Sequence, residues 1–267
     1  MNGTHVITVL IAWAALLGTA CSSERPPATP VIPSHIRVFT PEEGGPFPTI
    51  VAVPGCSGVS YESATDAGGG LVGDPEFRRH YPRMARRLRD RGFLVFLVDY
   101  LTAHGVVNAC NGEISFAAVG KYVQAAAQVA NEPPSADRTR LFLLGWSRGG
   151  GGVLAALAEP LSPAIPLTGT IAVYPGCEEL LPWEPGHRVL MLLAELDDIA
   201  PPDVCRDLVA RVADEQNIVV RGYAGARHGF DVPELASVVG LGGGFTLGFD
   251  SVASVDAWRE VVDWLGQ

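Results

Sequence analysis

Ser147 lies in a five-residue pattern that is typical of a nucleophilic serine. The sequence reads Gly145-Trp146-Ser147-Arg148-Gly149, or G-x-S-x-G, directly after an apolar run and before a stretch of small residues. A serine on a sharp strand-to-helix turn needs small residues two positions before and after it, and the turn projects its hydroxyl above the sheet. The helix dipole there favours developing negative charge. The pattern predicts a nucleophile; a glycine-rich helix start without chemistry is the alternative.

Candidates for a base and for its orienting carboxylate follow two later strands. Asp197 and Asp198 come after the predicted strand Val189–Ala194, and His228 comes after the predicted strand Ile218–Tyr223. A serine nucleophile needs both groups, and the order Ser, Asp, His after strand ends is that of α/β-hydrolases. His228 is therefore the predicted base. Adjacent side chains cannot both face it, so the two aspartates remain alternatives at this point.

Two backbone N–H groups could bind the oxyanion that forms during acyl transfer. One belongs to Arg148, the residue after the predicted nucleophile. The other belongs to Cys56, which follows the predicted strand Thr49–Pro54. Both positions lie beyond strand ends, where the functional groups of parallel sheets gather.

Three aromatic residues beside these motifs are candidates for lining a substrate pocket, namely Tyr61, Trp146 and Phe230. For Trp146, packing beneath the serine turn is the alternative. Arg148 and Arg227 flank the predicted nucleophile and base. Their side chains could attract a carboxylate-bearing substrate or simply face water.

Short β-branched and aromatic runs alternate with amphipathic stretches along most of the chain. The predicted strands are His35–Thr40, Thr49–Pro54, Phe93–Asp99, Arg140–Gly145, Gly169–Tyr174, Val189–Ala194 and Ile218–Tyr223. The predicted helices are Glu76–Arg91, Ser115–Ala130, Arg148–Ala158, Val204–Ala213 and Val252–Leu265. This alternation predicts an α/β-hydrolase fold, a doubly wound and mostly parallel sheet with helices on both faces. The glycine-rich segment Leu235–Gly248 is predicted to be a loop, either a plain surface loop or a flap over the site.

Length and charge exclude several classes of function. The chain has 267 residues, which suits one large α/β domain, predicted to span residues 34–267. A formal net charge of −10 argues against a nucleic-acid partner, since phosphate binding needs clustered Lys and Arg. Zinc-type Cys/His spacing, phosphate loops and dinucleotide fingerprints are missing from the sequence, so we expect neither a cofactor nor a metal.

Residues 1–21 are predicted to be a signal peptide. The run Val6–Leu17 is almost wholly apolar, is too short to span a bilayer, and is followed by small residues. Residues 22–33 are predicted to be a Pro-rich tether. Cys21 stands where a bacterial lipoprotein carries its acylated cysteine, so membrane anchoring and plain secretion both remain open. Both predict a periplasmic or extracellular protein; an N-terminal helix packed on the domain is the alternative.

Four cysteines follow Cys21, namely Cys56, Cys110, Cys177 and Cys205. An even number in an exported protein suggests two disulfides, for which three pairings exist. The pairs Cys56–Cys110 and Cys177–Cys205 are favoured because each pair lies on loops at one edge of the predicted sheet. Four buried free thiols are the alternative.

From about residue 35 to the C-terminus, the chain resembles the dienelactone hydrolase family of α/β-hydrolases. The motifs that carry this resemblance are PGCSG at 54–58, GWSRGG at 145–150, AELDDIAP at 194–201 and ARHGF at 226–230. The resemblance implies Asp197 as the acid, because related hydrolases place it three residues after a small residue and four before a proline. Two departures are Ser147, where dienelactone hydrolases proper use a cysteine, and Pro54, where many relatives have a histidine. The same motifs are similar to those of bacterial cutinases and polyester hydrolases.

These observations predict a serine hydrolase that cleaves carboxylic esters, of small molecules or polymers, through an acyl-enzyme on Ser147. An amidase or acyltransferase that uses the same three residues is one alternative. A non-catalytic binding protein of the cell envelope, built on a hydrolase fold, is the other.

Overall fold

A seven-stranded sheet with helices on both faces positions the candidate residues. The computed structural model describes residues 32–59, 75–158, 165–183, 186–212, 215–235, 239–240 and 244–267. The strands are β1 (Ile36–Phe39), β2 (Phe47–Val53), β3 (Leu94–Val98), β4 (Ala136–Trp146), β5 (Leu167–Val173), β6 (Val189–Ala194), β7 (Ile218–Tyr223), β8 (Val239–Gly240) and β9 (Thr246–Leu247). The helices are α1 (Pro75–Arg89), α2 (Tyr100–His104), α3 (Phe116–Ala130), α4 (Arg148–Ala155), α5 (Pro202–Val209) and α6 (Ser251–Gly266).

The strands are ordered β1-β3-β2-β4-β5-β6-β7 across the sheet. Only the edge strand β1 runs antiparallel to its neighbour, β3, and the other neighbouring pairs are parallel. The carboxyl ends of β2, β4, β6 and β7 therefore lie at one edge of the sheet, and the predicted site residues follow these ends. The predicted α/β-hydrolase fold is confirmed.

Burial on both faces explains why the central strands are apolar without interruption. In β2, Val51 and Val53 pack in the cluster that contains α3, α4 and α5, whereas Ile50 and Ala52 pack in the cluster that contains α1 and α6. Successive side chains of a strand point to opposite faces, so both faces of this sheet need apolar residues. Full burial of one such large side chain stabilises the fold by about 1.5–3 kcal/mol.

Polar residues cap the starts of the two long helices that the sequence predicted best. The Ser115 side chain accepts a hydrogen bond from Ala118 N at 3.2 Å, at the start of α3. The Asp250 side chain accepts from Val252 N at 2.9 Å and from Ala253 N at 3.0 Å, at the start of α6. Such caps satisfy N–H groups that have no partner inside the helix, which fixes where each helix begins.

The structure differs from the sequence prediction by two residues or more in four helices, of which α1 ends at Arg89 instead of Arg91. Helix α2 was not predicted, because its five residues are too few to show a helical period; Asp99 starts it by accepting from Thr102 N at 3.2 Å. Helix α4 ends at Ala155 instead of Ala158. Helix α5 begins at Pro202 instead of Val204 and ends at Val209 instead of Ala213.

The predicted loop Leu235–Gly248 contains a short strand pair. Val239 pairs with Leu247 and Gly240 with Thr246, so β8 and β9 run antiparallel. Two-residue strands in a glycine-rich run show no alternation, so neither strand was predictable from the sequence pattern. Leu247 is buried, so the end of this segment belongs to the core.

Several predictions fall on residues that the structure does not describe. The predicted signal peptide 1–21 with Cys21, most of the tether 22–33, and Tyr61 lie outside the described residues. Within the residues that are described, no helix is both long enough and apolar enough to span a membrane.

Candidate active site

Ser147 occupies the turn between β4 and α4. Its backbone has φ +52° and ψ −120°, a conformation that residues with a side chain rarely adopt. Hydrogen bonds on both sides hold it there: Ser147 N donates to Val173 O at 2.9 Å, and Gly151 N donates to Ser147 O at 2.9 Å. Such strain costs about 1–3 kcal/mol and persists only where the surroundings determine it.

The two glycines of the G-x-S-x-G pattern are required by contacts between backbones. A Cβ on Gly145 would lie 2.2 Å from Gly149 O. A Cβ on Gly149 would lie 2.3 Å from both Val53 O and Pro54 O, at the end of β2. No side chain fits at either position, so the spacing that suggested a nucleophile also lets α4 begin against the neighbouring strand.

His228 connects the serine to a carboxylate. Its Nε2 lies 2.8 Å from Ser147 Oγ and its Nδ1 lies 2.7 Å from Asp197 Oδ2. The imidazole is 4% exposed and its ring packs on the Tyr174 ring with centroids 4.7 Å apart. The backbone after β7 is tied down as well, since Gly248 N donates to His228 O at 3.2 Å.

Asp197, and not Asp198, faces the histidine. The second carboxylate oxygen of Asp197 accepts hydrogen bonds from Ile199 N at 2.9 Å and Ala200 N at 2.8 Å. Three donors therefore surround a buried carboxylate, which satisfies its negative charge. Asp198 is exposed, and it accepts hydrogen bonds from Thr246 N and Oγ1 instead.

The segment after β2 lies directly beside the serine. A Cβ on Gly55 would be 3.3 Å from Ser147 Cβ and 2.6 Å from Tyr81 Oη. Tyr100 Oη donates to Gly55 O at 3.0 Å. Burial raises the pKa of both Tyr81 and Tyr100 above the ordinary value, so both hydroxyls stay protonated. Cys56, the next residue, is anchored because its O accepts from Ala109 N at 2.9 Å.

Both N–H groups that were predicted to bind an oxyanion are available. Among the described residues, neither Cys56 N nor Arg148 N has a hydrogen-bond acceptor. Arg148 is the first residue of α4, where helix geometry leaves the N–H without an internal partner. Cys56 is held by its disulfide to Cys110. Cys177 and Cys205 form the second disulfide, so both favoured pairings are present.

The structure corrects two of the three predicted pocket residues, Trp146 and Phe230; Tyr61 lies outside the described residues. Trp146 is 2% exposed and Phe230 is 0% exposed, so both pack in the core beneath the site and neither offers a surface to a substrate. Phe230 packs between Tyr174 and Tyr223, with ring centroids 5.3 and 5.2 Å away. Burying a large aromatic side chain is favourable enough to draw both residues inward.

The two arginines beside the motifs are engaged by the protein. Arg148 donates to Ile114 O, and its guanidinium lies 5.1 Å from the centre of the Phe116 ring. Arg227 Nη1 donates to Thr246 Oγ1 at 2.7 Å. Among the described residues, no group of three or more His, Cys, Asp or Glu side chains could hold a metal ion.

Sequence analysis missed one cluster near the site. The carboxylate of Asp231 accepts hydrogen bonds from Tyr174, Trp146 and His80. Its position three residues after His228 was the only signal that could have suggested it, because its partners are far away in the sequence.

Comparisons with solved structures show the same fold at low sequence identity. A candidate dienelactone hydrolase from Klebsiella pneumoniae has 19% identity and a TM-score of 0.63, over 87% of this chain and 92% of that one. A dienelactone hydrolase-like promiscuous phosphotriesterase from metagenomic libraries has 21% identity and a TM-score of 0.60, over 86% and 91%. Esterase 2 of Thermogutta terrifontis, phosphorylated by paraoxon, has 18% identity and a TM-score of 0.53, over 85% and 86%.

The sequence itself matches one family over most of its length. No protein of curated function matches the chain. The profile of the dienelactone hydrolase family matches residues 37–267, the part that contains Ser147, Asp197 and His228. Together with the α/β-hydrolase fold, this match identifies the chain as a member of the dienelactone hydrolase family.

Proposed function

We propose that this hydrolase is a serine esterase that cleaves carboxylic esters through an acyl-enzyme on Ser147. The observation that carries the proposal is the pair of hydrogen bonds at His228, 2.8 Å to Ser147 Oγ and 2.7 Å to Asp197 Oδ2. His228 Nε2 takes the proton of Ser147 as Oγ attacks the ester carbonyl. Asp197 keeps the other proton on Nδ1 and stabilises the imidazolium that forms.

The remaining steps use the same groups. The backbone N–H groups of Cys56 and Arg148 bind the oxyanion of the tetrahedral intermediate. As this intermediate collapses, His228 protonates the departing alcohol and the acyl group stays on Ser147. His228 then activates a water that hydrolyses the acyl-enzyme and regenerates the serine.

The proposed substrates are small-molecule or polymeric esters. The likeness of the motifs to those of bacterial cutinases and polyester hydrolases supports a polymeric ester. Amide cleavage and acyl transfer to an alcohol use the same three residues, and parallel assays with an ester and the matching anilide separate these activities.

A second activity, attack on phosphotriesters, is favoured by two of the similar structures. One is called a promiscuous phosphotriesterase, and the other is an esterase that was phosphorylated by paraoxon. A serine activated to attack a carbonyl carbon can also attack phosphorus, with loss of the p-nitrophenolate. We expect paraoxon to phosphorylate Ser147, which mass spectrometry of the treated protein would detect.

We also propose that the protein is exported, with residues 1–21 as the signal peptide, residues 22–33 as a tether and residues 34–267 as one catalytic domain. The two disulfides support an oxidising compartment. Anchoring through a lipidated Cys21 and plain secretion predict different masses for the mature N-terminus. Mass spectrometry of the protein from membrane and soluble fractions distinguishes them.

The test of the catalytic proposal compares wild type with Ser147→Ala. Both proteins are assayed with p-nitrophenyl acetate, butyrate and octanoate, and both are exposed to a fluorophosphonate probe. We expect turnover and labelling in the wild type and neither in the variant. Turnover that survives in Ser147→Ala would overturn Ser147 as the nucleophile. A folded wild type without turnover or labelling would favour the binding-protein alternative.

A further inference from the structure

Asp231 carries a buried carboxylate that the proposed reaction does not use. Its side chain is 10% exposed, and it accepts three hydrogen bonds. Tyr174 Oη donates to Oδ1 at 2.6 Å, whereas Trp146 Nε1 at 3.0 Å and His80 Nε2 at 3.1 Å donate to Oδ2. A buried carboxylate is costly unless such donors surround it, and charge-assisted hydrogen bonds are the strong kind.

Two of the three donors are next to the catalytic groups. Trp146 directly precedes Ser147 in the chain, and the Tyr174 ring packs on the His228 ring with centroids 4.7 Å apart. Asp231 itself lies three residues after His228. One carboxylate therefore joins the segment that carries the base to the strand end that carries the nucleophile.

The backbone of Tyr174 is strained. Its φ is +35°, in the left-handed region that favours glycine. Tyr174 N donates to Leu192 O at 2.7 Å, which holds the backbone, and its hydroxyl donates to Asp231, which holds the far end of the ring. The ring is thus fixed at both ends, and it packs against the His228 ring with the two planes tilted by 58°.

His80 adds a third anchor, on helix α1. Its Nε2 binds the same carboxylate oxygen of Asp231 as Trp146 Nε1, and its side chain is 1% exposed. The His80 and Trp146 rings meet edge to face, with their centroids 6.0 Å apart.

A second link joins the same two segments nearby, because Arg83 of α1 pairs with Glu234. Arg83 also lies 3.4 Å from His80 Nδ1, so this pair touches the α1 side of the cluster. Among the described residues, Glu234 has no hydrogen bond to Tyr174 or Trp146, so Glu234→Gln is a control that weakens the link to α1 and leaves those two contacts in place.

We propose that Asp231 is a positioning residue that holds the His228 imidazole in line with Ser147. This inference rests on the proposed serine esterase activity. Asp231 touches no reacting atom and acts through Tyr174 and Trp146. The rate of catalysis falls steeply when reacting groups move by as little as an ångström. Loss of the hydrogen bonds at Asp231 therefore slows proton transfer without weakening substrate binding.

The test measures kcat per active site in Asp231→Asn. The amide is nearly the same size as the carboxylate, but its NH2 group faces donors where an oxygen accepted before. We expect kcat to fall about 10- to 100-fold, with KM within about threefold of wild type. Titration with a fluorophosphonate counts the labelled serines, so loss of folded protein is separated from slower chemistry. Glu234→Gln is expected to keep kcat within twofold of wild type.

Tyr174→Phe is the second variant. It keeps the ring against His228 and removes only the hydroxyl that reaches Asp231. We expect kcat to fall by about three- to tenfold, with the fluorophosphonate labelling rate falling by the same factor. This variant decides the matter if Asp231→Asn does not fold.

The outcomes separate this inference from the proposed function. A wild-type protein that turns over no ester and takes no label contradicts the esterase proposal itself. If wild type is active and Asp231→Asn keeps kcat per labelled serine within twofold of wild type, the positioning role is overturned. Where Asp231→Asn does not fold, the same result in Tyr174→Phe overturns it. An equal loss in Glu234→Gln also overturns it, because any break between α1 and the His228 segment would then suffice.

Discussion

The carboxylate of Asp198 binds Thr246, 48 residues later in the chain, by two hydrogen bonds. Thr246 N lies 2.9 Å from Oδ1 and Thr246 Oγ1 lies 2.8 Å from Oδ2. The preceding residue, Asp197, faces His228 at 2.7 Å instead. Two adjacent aspartates thus hold different partners: one orients the candidate base, and the other ties down the segment that runs past it.

Substitution of each aspartate should separate these roles. We expect Asp197→Asn to lower kcat by about 10³- to 10⁴-fold, because the histidine loses the partner that fixes its tautomer. Asp198→Asn should lower kcat by less than about tenfold, since it only weakens the contact with Thr246. Steady-state kinetics with p-nitrophenyl butyrate check this. Equal losses, or a larger loss in Asp198→Asn, would show that the acid was misassigned.

Removal of the Cys56–Cys110 disulfide should affect both stability and catalysis. It spans 54 residues, and its loss is expected to lower the free energy of unfolding by about 4 kcal/mol in the chain-entropy picture. Because Cys56 supplies a proposed oxyanion N–H, we expect kcat per active site to fall as well. The measurements are urea unfolding and kcat of the variant with serine at both positions.

The second disulfide serves as the control. Cys177–Cys205 spans 28 residues, so the free energy of unfolding of the matching double-serine variant should be about 3–4 kcal/mol lower than that of wild type. It supplies no proposed oxyanion donor, and we expect its kcat per labelled serine to change less. If both double variants lost kcat to the same extent, the disulfide at Cys56 would have no special role in catalysis.

An alanine at Gly149 should destabilise the fold. Its Cβ would lie 2.3 Å from two carbonyl oxygens, at Val53 and Pro54, so β2 and α4 would have to separate. We expect the free energy of unfolding to fall by about 1–3 kcal/mol, or the variant not to fold, and we expect lower activity. Gly266→Ala, where the new Cβ has nothing within 4 Å, should change stability little. Thermal unfolding of both variants checks the prediction, and a Gly149→Ala protein as stable as wild type contradicts it.

The pH dependence of stability should reveal the charge on Asp231. Burial by itself would raise its pKa, but the charge of His80 and the hydrogen bonds from His80, Tyr174 and Trp146 outweigh burial, so its pKa lies below the ordinary value. A carboxyl group with a lower pKa in the folded state stabilises the fold above its unfolded pKa of about 4. This contribution is lost as the pH falls through the folded pKa.

Urea unfolding of wild type and Asp231→Asn at pH 6 and pH 3 provides the test. We expect wild type to exceed the variant in free energy of unfolding at pH 6, and the difference to shrink at pH 3. For Glu234→Gln, the difference in free energy of unfolding from wild type should also shrink at pH 3, because Arg83 lowers the pKa of Glu234. This difference should be smaller than for Asp231→Asn, because the Arg83–Glu234 pair is more exposed. A wild-type advantage that grew towards pH 3 would contradict the ionised state of Asp231.

The fold and the nucleophile turn were predictable because their signals are local. Short continuous apolar runs such as Val189–Ala194, bounded by turn residues, favour strands buried on both faces, and the structure has that strand with the same bounds. The spacing of Gly145 and Gly149 around Ser147 indicated a tight turn, and the structure shows the close backbone contacts that require both glycines. The amphipathic pattern placed the start of α3 at Ser115, one residue before the observed start at Phe116. Short elements without a period, such as α2, were not predictable.

The sequence by itself therefore determined the α/β sheet, the family, and which serine and histidine lie at the strand ends. The family resemblance implied Asp197 as the acid, but only the tertiary structure shows the hydrogen bond from His228 to Asp197 and the one from Trp146 to Asp231. The physical reason is that these relationships join residues 31 and 85 positions apart. Which residues become partners depends on how the strands and helices pack, and this packing produces no periodic pattern in the sequence around either partner.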